Sequence, residues 1–149
     1  MNTVQNNIKT AKNMDPFTWK NTVKTGAEWD YKNGGKNPEM EHFGNFNAGA
    51  TGAAMLNQYI PIPQSVAEEI VLRGAGWYQK YKNNGITYRS SFGNPSDNIP
   101  FIGNDNPSTS YGDDPTDQYF IKQGIDWYYE NYGGKDNVQL SNNPFLNML

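Results

Sequence analysis

Two acidic residues lie between aromatic residues in the run Glu28-Trp29-Asp30-Tyr31. On a helix, side chains two residues apart point roughly 200° apart, so Glu28 and Asp30 cannot form one catalytic dyad. A carboxyl group beside Trp29 is expected to lose part of its hydration, and the negative end of the helix dipole acts in the same direction. Both effects raise a pKa toward the range of a general acid. We therefore predict Glu28 as a general acid and keep Asp30 as a further catalytic candidate; the alternative is a solvent-facing Glu beside a buried Trp.

A second acidic cluster contains Asp113, Asp114 and Asp117. Asp114 is predicted to cap the last helix, because a proline follows it at the first helical position. Asp113 and Asp117 remain as candidate second carboxylates or water-positioning groups. Glycoside hydrolysis uses two carboxyl groups about 5 to 9.5 Å apart. Glu28 and one acid of this cluster would form such a pair if the fold brings them together.

Asparagines and aromatic residues supply the candidates for substrate binding. Asn45 and Asn47 lie in a glycine-rich run, and an amide that both donates and accepts suits sugar hydroxyls, an acetamido group or a bound water. The alternative for these two is capping at a glycine break in the helix. Trp29, Tyr31 and Trp77 could line a groove and stack on sugar rings or bases. A place in the core is the alternative, since the chain has few aliphatic residues to fill it.

Several classes of chemistry are excluded or disfavoured by composition. His42 is the only histidine, which rules out a two-histidine ribonuclease mechanism but leaves a one-histidine nuclease open. The chain has no cysteine, and no spacing of His, Asp or Glu resembles a zinc site, so we predict neither a metal nor a cofactor. The net charge is −3 and the 12 lysines and arginines are scattered. A neutral or zwitterionic polymer such as a glycan therefore fits better than a nucleic acid.

The elements that position these residues are predicted to be helices. Apolar spacing, Asp-Pro starts and glycine stops indicate helices over residues 2–14, 15–32, 39–57, 65–81 and 114–132. We predict a mainly α protein, a compact bundle of about four to five helices that is lysozyme-like in character, with long Asn/Gly/Pro loops. Short strands near residues 86–88 and 99–102 would add a β-hairpin.

Residues 1–14 are interpreted as a lead-in helix or linker from a parent chain, and residues 15–149 as one domain. Gly44, Gly49 and Gly52 in the third helix predict either close packing against another backbone or a break near Gly49. No run of about 18 apolar residues is present, so we predict no membrane span. The N-terminus lacks the basic-then-apolar pattern of a signal peptide.

Five blocks of sequence resemble the polymorphic toxin type 44 domain of bacteria. They are GAEWDYK at 26–32, FGNFNAGATG at 43–52, LRGAGWYQ at 72–79, YGDDPTDQ at 111–118 and IKQGIDWYY at 121–129. Gln79 and Tyr111, which lie in these blocks, complete the candidates for substrate binding. Position 48 is Ala where the family is expected to carry an aromatic residue, which implies a differently shaped pocket. The resemblance also implies a toxin module of a larger secreted or contact-delivered protein, and a cognate immunity protein that binds it.

The leading hypothesis is an antibacterial effector toxin that hydrolyses the glycan strands of peptidoglycan in the periplasm of a target cell, with Glu28 as general acid. One alternative is a nuclease that acts in the target cytoplasm through Asp30, Lys32, His42 and the Asp113–Asp117 cluster. Another alternative is a non-enzymatic module that only binds a receptor or a glycan. The last alternative predicts that single acid-to-amide variants stay toxic.

Overall fold

The computed structural model describes residues 2–82, 90–97, 99 and 110–133. Five α-helices lie within these residues and form the fold, which confirms the prediction of a mainly α protein. They are α1 (Asn2–Ala11), α2 (Pro16–Val23), α3 (Glu41–Asn57), α4 (Gln64–Tyr81) and α5 (Pro115–Tyr128). Short 3-10 turns occupy Asn33–Gly35, Pro38–Met40 and Ser90–Phe92, and a π-helical turn at Tyr129–Gly133 extends α5. The predicted β-hairpin lies outside the described residues except for Ile99, which has no regular structure.

The central feature of the bundle is the direct backbone contact between α3 and α5. A Cβ atom added at Gly49 would lie 1.9 Å from the carbonyl oxygen of Ile121, and one added at Gly124 would lie 1.9 Å from that of Phe46. No side chain fits at such distances, so both helices need glycine where they cross. The predicted close packing is thereby confirmed, and α3 runs through Gly49 without a break.

Helix α1 packs into the same core as the rest of the bundle. Val4, Ile8 and Ala11, the three residues at helical spacing, are all fully buried. The side chain of Asn7 donates hydrogen bonds to the Tyr31 hydroxyl (2.6 Å) and to an oxygen of the Asn47 amide (2.9 Å). Residues 2–11 therefore contribute to the body of the domain, and their link to a parent chain stays a prediction.

The second helix is shorter than predicted, since it ends at Val23 rather than near residue 32. Gly26 follows with φ of +81°, and the chain then continues in turns. The carboxylate of Asp30 holds these turns together, because one oxygen accepts the backbone N–H groups of Gly26 and Gly34, both at 2.7 Å. Asp30 is thus a structural hydrogen-bond acceptor in this loop. The loop is also joined to α2, because the Trp29 N–H donates to the Thr22 carbonyl at 2.9 Å.

Candidate active-site cleft

A cleft of about 180 Å³ lies between α2 with its following loop on one side and α3, α4 and the start of α5 on the other. Its lining contains Asp113 and Asp117, together with the Lys32–Glu41 pair. Trp19, Trp29 and Tyr78 contribute aromatic surface to its walls. The cleft therefore combines carboxyl groups with apolar aromatic surface.

Asp113 lies in the tight turn that leads into α5, and its side chain is only 5% exposed. Tyr111 and Gly112 in this turn have φ of 54° and 91°, and the Gly112 N–H donates to the Phe92 carbonyl at 2.9 Å. Burial raises the pKa of Asp113 to about 6, and the charge of Asp117 adds to the rise, although a hydrogen bond from Gln118 opposes it. A carboxyl group of this kind can carry a proton near neutral pH and donate it.

Asp117 lies in the first turn of α5, next to Asp113 in the cleft. Its carboxylate accepts a 2.7 Å hydrogen bond from the Asn45 side chain, so it is held from across the α3–α5 contact. Burial raises its pKa, as do the charges of Glu41 and Asp114, whereas Lys32 and the Asn45 hydrogen bond lower it. The pKa of both acids is therefore raised, but a lysine and the Asn45 amide oppose the rise at Asp117, whereas the Gln118 amide opposes it at Asp113.

The lysine beside this pair is fixed by an ion pair with α3. The Lys32 Nζ atom lies 2.6 Å from a carboxylate oxygen of Glu41, and both side chains are about one-third exposed. Burial alone would lower the pKa of Lys32, but the hydrogen bond to Glu41 and the charges of Glu41, Asp117 and Asp30 outweigh it and raise the pKa. Lys32 therefore stays charged and lowers the cost of an ionised carboxylate at Asp117.

Arg73 of α4 supports the turn that carries Asp113. Its guanidinium lies 4.5 Å from the centre of the Tyr111 ring and donates to the carbonyls of Pro95 (3.0 Å) and Asp97. Its Nε atom donates to Glu69 at 2.7 Å, which completes the fork of a nearly buried side chain. Such a planar, multiply bonded arginine fixes two loop segments against one helix. Arg73 lies in a block used for the family resemblance, but nothing in its spacing indicates this role.

The cleft lining also contains cationic side chains. Lys20, Lys24 and Lys82 line the cleft, and none of the three forms an ion pair with another part of the described chain. The Lys82 Nζ atom donates to the Thr25 hydroxyl at 2.9 Å, which joins the end of α4 to the loop after α2. The cleft lining therefore contains both carboxyl groups and ammonium groups.

Seven of the eleven predicted site residues line this cleft, and four do not. Those in the cleft are Asp30, Asp113, Asp117, Asn45, Trp29, Tyr31 and Gln79. Tyr111 instead lies under Arg73, and Asn47 is fully buried beside Asn7. Trp77 is 38% exposed on α4, outside the cleft.

The partial burial predicted for Glu28 is wrong. Its side chain is exposed and does not line the cleft, whereas its neighbour Trp29 is only 5% exposed. The reason is the early end of α2, after which the turn around Asp30 directs Trp29 inward and leaves Glu28 in solvent. The general-acid role of Glu28 stays a prediction that has lost its physical basis.

His42 does not contribute to the cleft either. It is exposed and stacks on Phe120, with ring centroids 4.1 Å apart. Within the described residues, no group of three or more His, Cys, Asp or Glu side chains could hold a metal ion. Over the same part of the chain, no helix is both long enough and apolar enough to cross a membrane. No family model, curated protein or solved structure gives a significant match to this chain.

Proposed function

We propose that this chain is a hydrolase that cleaves the glycan strands of peptidoglycan and acts as the toxin module of an antibacterial effector. The observation that carries the proposal is the pair of carboxyl groups in the cleft. Asp113 is buried, with its pKa raised to about 6. Burial also raises the pKa of Asp117, but the Lys32 charge and the Asn45 hydrogen bond oppose that rise. Glycosidases use two carboxyl groups in different settings as acid and charge stabiliser.

The proposed reaction assigns one role to each acid. Asp113 donates its proton to the glycosidic oxygen as the bond from that oxygen to the sugar carbon breaks. Asp117 remains ionised and stabilises the positive charge that develops on the sugar ring. A water molecule then adds to the sugar carbon, and the proton that it releases restores the acid form of Asp113. Asn45 and Gln79 line the cleft where sugar hydroxyls would lie, and Trp29 forms part of its apolar wall.

The direct test is the release of reducing ends from purified peptidoglycan. Asp113→Asn should lower the rate by about 100-fold or more, because a general acid contributes roughly 10²- to 10⁴-fold. Asp117→Asn should also lower it strongly through loss of the stabilising charge. Asp114→Asn is the matched control, since Asn caps a helix as well as Asp does and can accept the same hydrogen bond from the Thr116 backbone N–H. Full activity of Asp113→Asn would contradict the proposal.

Glu28→Gln separates this proposal from the expectation based on the sequence. Because Glu28 is exposed and outside the cleft, the variant should keep the wild-type rate. A loss of activity in Glu28→Gln, together with full activity in Asp113→Asn, would return the acid role to Glu28 and place the reaction elsewhere.

The biological setting is part of the same proposal. A parent protein delivers the module to the periplasm of a target bacterium, and a cognate immunity protein protects the producing cell. Expression with an added export signal should then kill, whereas cytoplasmic expression should not. If every single acid-to-amide variant stayed toxic, a non-enzymatic binding module would be favoured instead.

A nuclease is the second candidate, and the lysines that line the cleft are the observation that favours it. Lys20, Lys24 and Lys82 could hold phosphates, since phosphate contacts from lysine supply most of the affinity of proteins for nucleic acids. The exposed, stacked position of His42 removes the base that this hypothesis expected in the site. Incubation with total RNA and plasmid DNA, with and without magnesium, discriminates the two functions. Degradation that Asp113→Asn abolishes would favour the nuclease.

A further inference from the structure

We propose that Gln118 is a positioning residue for Asp113, whose amide holds one oxygen of the Asp113 carboxyl group and leaves the other oxygen to carry the proton that the substrate receives. This inference rests on the proposed function, in which Asp113 is the general acid. Gln118 lies near the start of α5 and is only 7% exposed. It does not line the cleft, so it would act on a substrate only through Asp113.

Two hydrogen bonds define the position of the Gln118 amide. Its Nε2 atom donates to the Oδ2 atom of Asp113 at 2.9 Å and to the carbonyl oxygen of Leu72 in α4 at 3.2 Å. An amide NH₂ group has two hydrogens and no acceptor site, so both hydrogens are used. Oδ2 is therefore held as an acceptor. Because the carbonyl oxygen of a protonated carboxyl group accepts better than its hydroxyl oxygen does, the proton of the acid belongs on Oδ1.

The oxygen of the same amide gives an independent observation. The Gln118 Oε1 atom is buried and has no hydrogen-bond partner in the described part of the chain. A buried polar atom without a partner opposes folding, so its presence needs a reason. An aliphatic side chain could fill the space between α4 and α5 without burying this oxygen. The need for an NH₂ group at Asp113 supplies the reason for an amide.

Charged groups from several elements surround the turn that carries Asp113. They are Asp114 and Asp117 at the start of α5, Lys32 in the loop after α2, Glu41 of α3 and Arg73 of α4. Burial raises the pKa of Asp113 to about 6, and the hydrogen bond from Gln118 is the largest influence that lowers it. Removal of this amide should therefore raise the pKa of Asp113, whereas removal of another contact between α4 and α5 should not.

A second glutamine that joins α4 to α5 provides a matched control. Gln64 of α4 also donates two hydrogen bonds from its Nε2 atom, to Asp126 of α5 at 2.6 Å and to Glu68 at 3.0 Å. It does not line the cleft. Gln118→Met removes the donor and keeps an unbranched, adaptable side chain of similar length, and Gln64→Met makes the same change at the control position.

The first measurement needs no substrate. The Asp113 carboxyl carbon is titrated by ¹³C NMR in the folded full chain, with Asp113→Asn to assign its signal. In Gln118→Met the titration midpoint should rise by about one pH unit, a roughly tenfold change in proton affinity, because a hydrogen bond to the ionised form is lost. In Gln64→Met the midpoint should stay at the wild-type value.

The second measurement is the pH profile of the release of reducing ends from peptidoglycan. A general acid must be protonated to act, so the rate falls as pH rises through its pKa. Gln118→Met should move this fall to higher pH by about one unit and lower kcat at low pH by roughly ten- to a hundred-fold, because the carboxyl group is no longer held in place. KM should stay near wild type, since Gln118 does not line the cleft. A purely structural role would leave the profile unmoved.

Gln118→Leu repeats both measurements with a second aliphatic side chain. An unmoved midpoint in both aliphatic variants, an equal rise in Gln64→Met, or an unchanged kcat at low pH would each overturn the positioning role. Failure of both aliphatic variants to fold would assign the amide to the frame of the bundle and would also overturn it. Absence of cleavage in wild type, with a midpoint that still depends on Gln118, would overturn the hydrolase and keep Gln118 as the group that orients Asp113. Cleavage that needs Asp113 but not Gln118 would overturn this inference alone.

Discussion

Replacement of Asp113 by Asn should make the protein more stable at neutral pH while it removes activity. Burial raises the pKa of Asp113 to about 6, against an ordinary value of 3.8. The folded state therefore binds a proton more tightly than the unfolded chain does. Stability is highest below the unfolded pKa, and it falls as pH rises from about 4 to about 6. At 1.36 kcal/mol for each tenfold change in proton affinity, the loss at pH 7 is about 3 kcal/mol.

The asparagine should escape this loss and keep most of the local contacts. Its amide oxygen can still accept from the Gln118 side chain, which donates to Asp113 at 2.9 Å. The free energy of unfolding of the variant should therefore be about 3 kcal/mol higher than that of wild type at pH 7, and this difference should vanish near pH 4. For a chain of this length, that corresponds to roughly 5 to 10 °C in melting temperature.

Urea denaturation at pH 4, 5, 6 and 7, followed by tryptophan fluorescence, measures the free energy of unfolding of both proteins. Only the difference between them matters, because other carboxyl groups titrate in both. Asp114→Asn, one residue away and still a helix cap, should follow the wild-type curve at each pH. If the gap between wild type and Asp113→Asn stayed constant from pH 4 to pH 7, the raised pKa of Asp113 would be refuted.

Three further predictions concern the frame around the acids. Gly49→Ala and Gly124→Ala should each lower the free energy of unfolding by at least about 3 kcal/mol, since a Cβ would lie 1.9 Å from a backbone oxygen. Gly74→Ala should instead raise it by about 0.5 to 1 kcal/mol. Thermal melts compare the three variants, and a stable Gly124→Ala would contradict the helix contact. Arg73→Lys should lower the free energy of unfolding by about 2 kcal/mol and reduce activity, because a lysine cannot make the same set of guanidinium hydrogen bonds. An unchanged melting temperature and activity would contradict the supporting role of Arg73. Asp30→Ala should lower the free energy of unfolding by about 2 kcal/mol, because two hydrogen bonds from backbone N–H groups are lost. Activity should fall only in proportion to the folded fraction, and a greater loss in fully folded protein would restore Asp30 as a catalytic candidate.

Local signals in the sequence predicted the fold well where the physics is local. Both Asp-Pro starts are confirmed, with Asp15 accepting from Thr18 N–H at 2.9 Å and Asp114 from Thr116 N–H at 2.7 Å. The glycines of α3 correctly indicated a close backbone contact, because their cost in a helix needs a compensating reason. Apolar spacing also predicted the first helix, whose Val4, Ile8 and Ala11 the structure places in the core.

The errors arose where a tertiary contact outweighs a local preference. Continued apolar spacing predicted that α2 runs to residue 32, but Gly26 and the bonds to Asp30 end it at Val23. The fourth helix was predicted to begin at residue 65, and α4 begins one residue earlier, at Gln64, directly after the extended Pro63. The first of these errors displaced the predicted acid, since the burial expected for Glu28 depended on a helix that is not there.

The choice of Asp113 over Glu28 follows from what each carboxyl group does for the folded protein. Glu28 is solvated and costs nothing, so its presence needs no explanation beyond a polar surface. Asp113 is buried, and its charge opposes folding at neutral pH. An asparagine could accept the Gln118 hydrogen bond there without that penalty, so this hydrogen bond does not by itself require an acid. The proposed function supplies a reason, because a carboxyl group with a raised pKa still carries, near neutral pH, the proton that a general acid must donate.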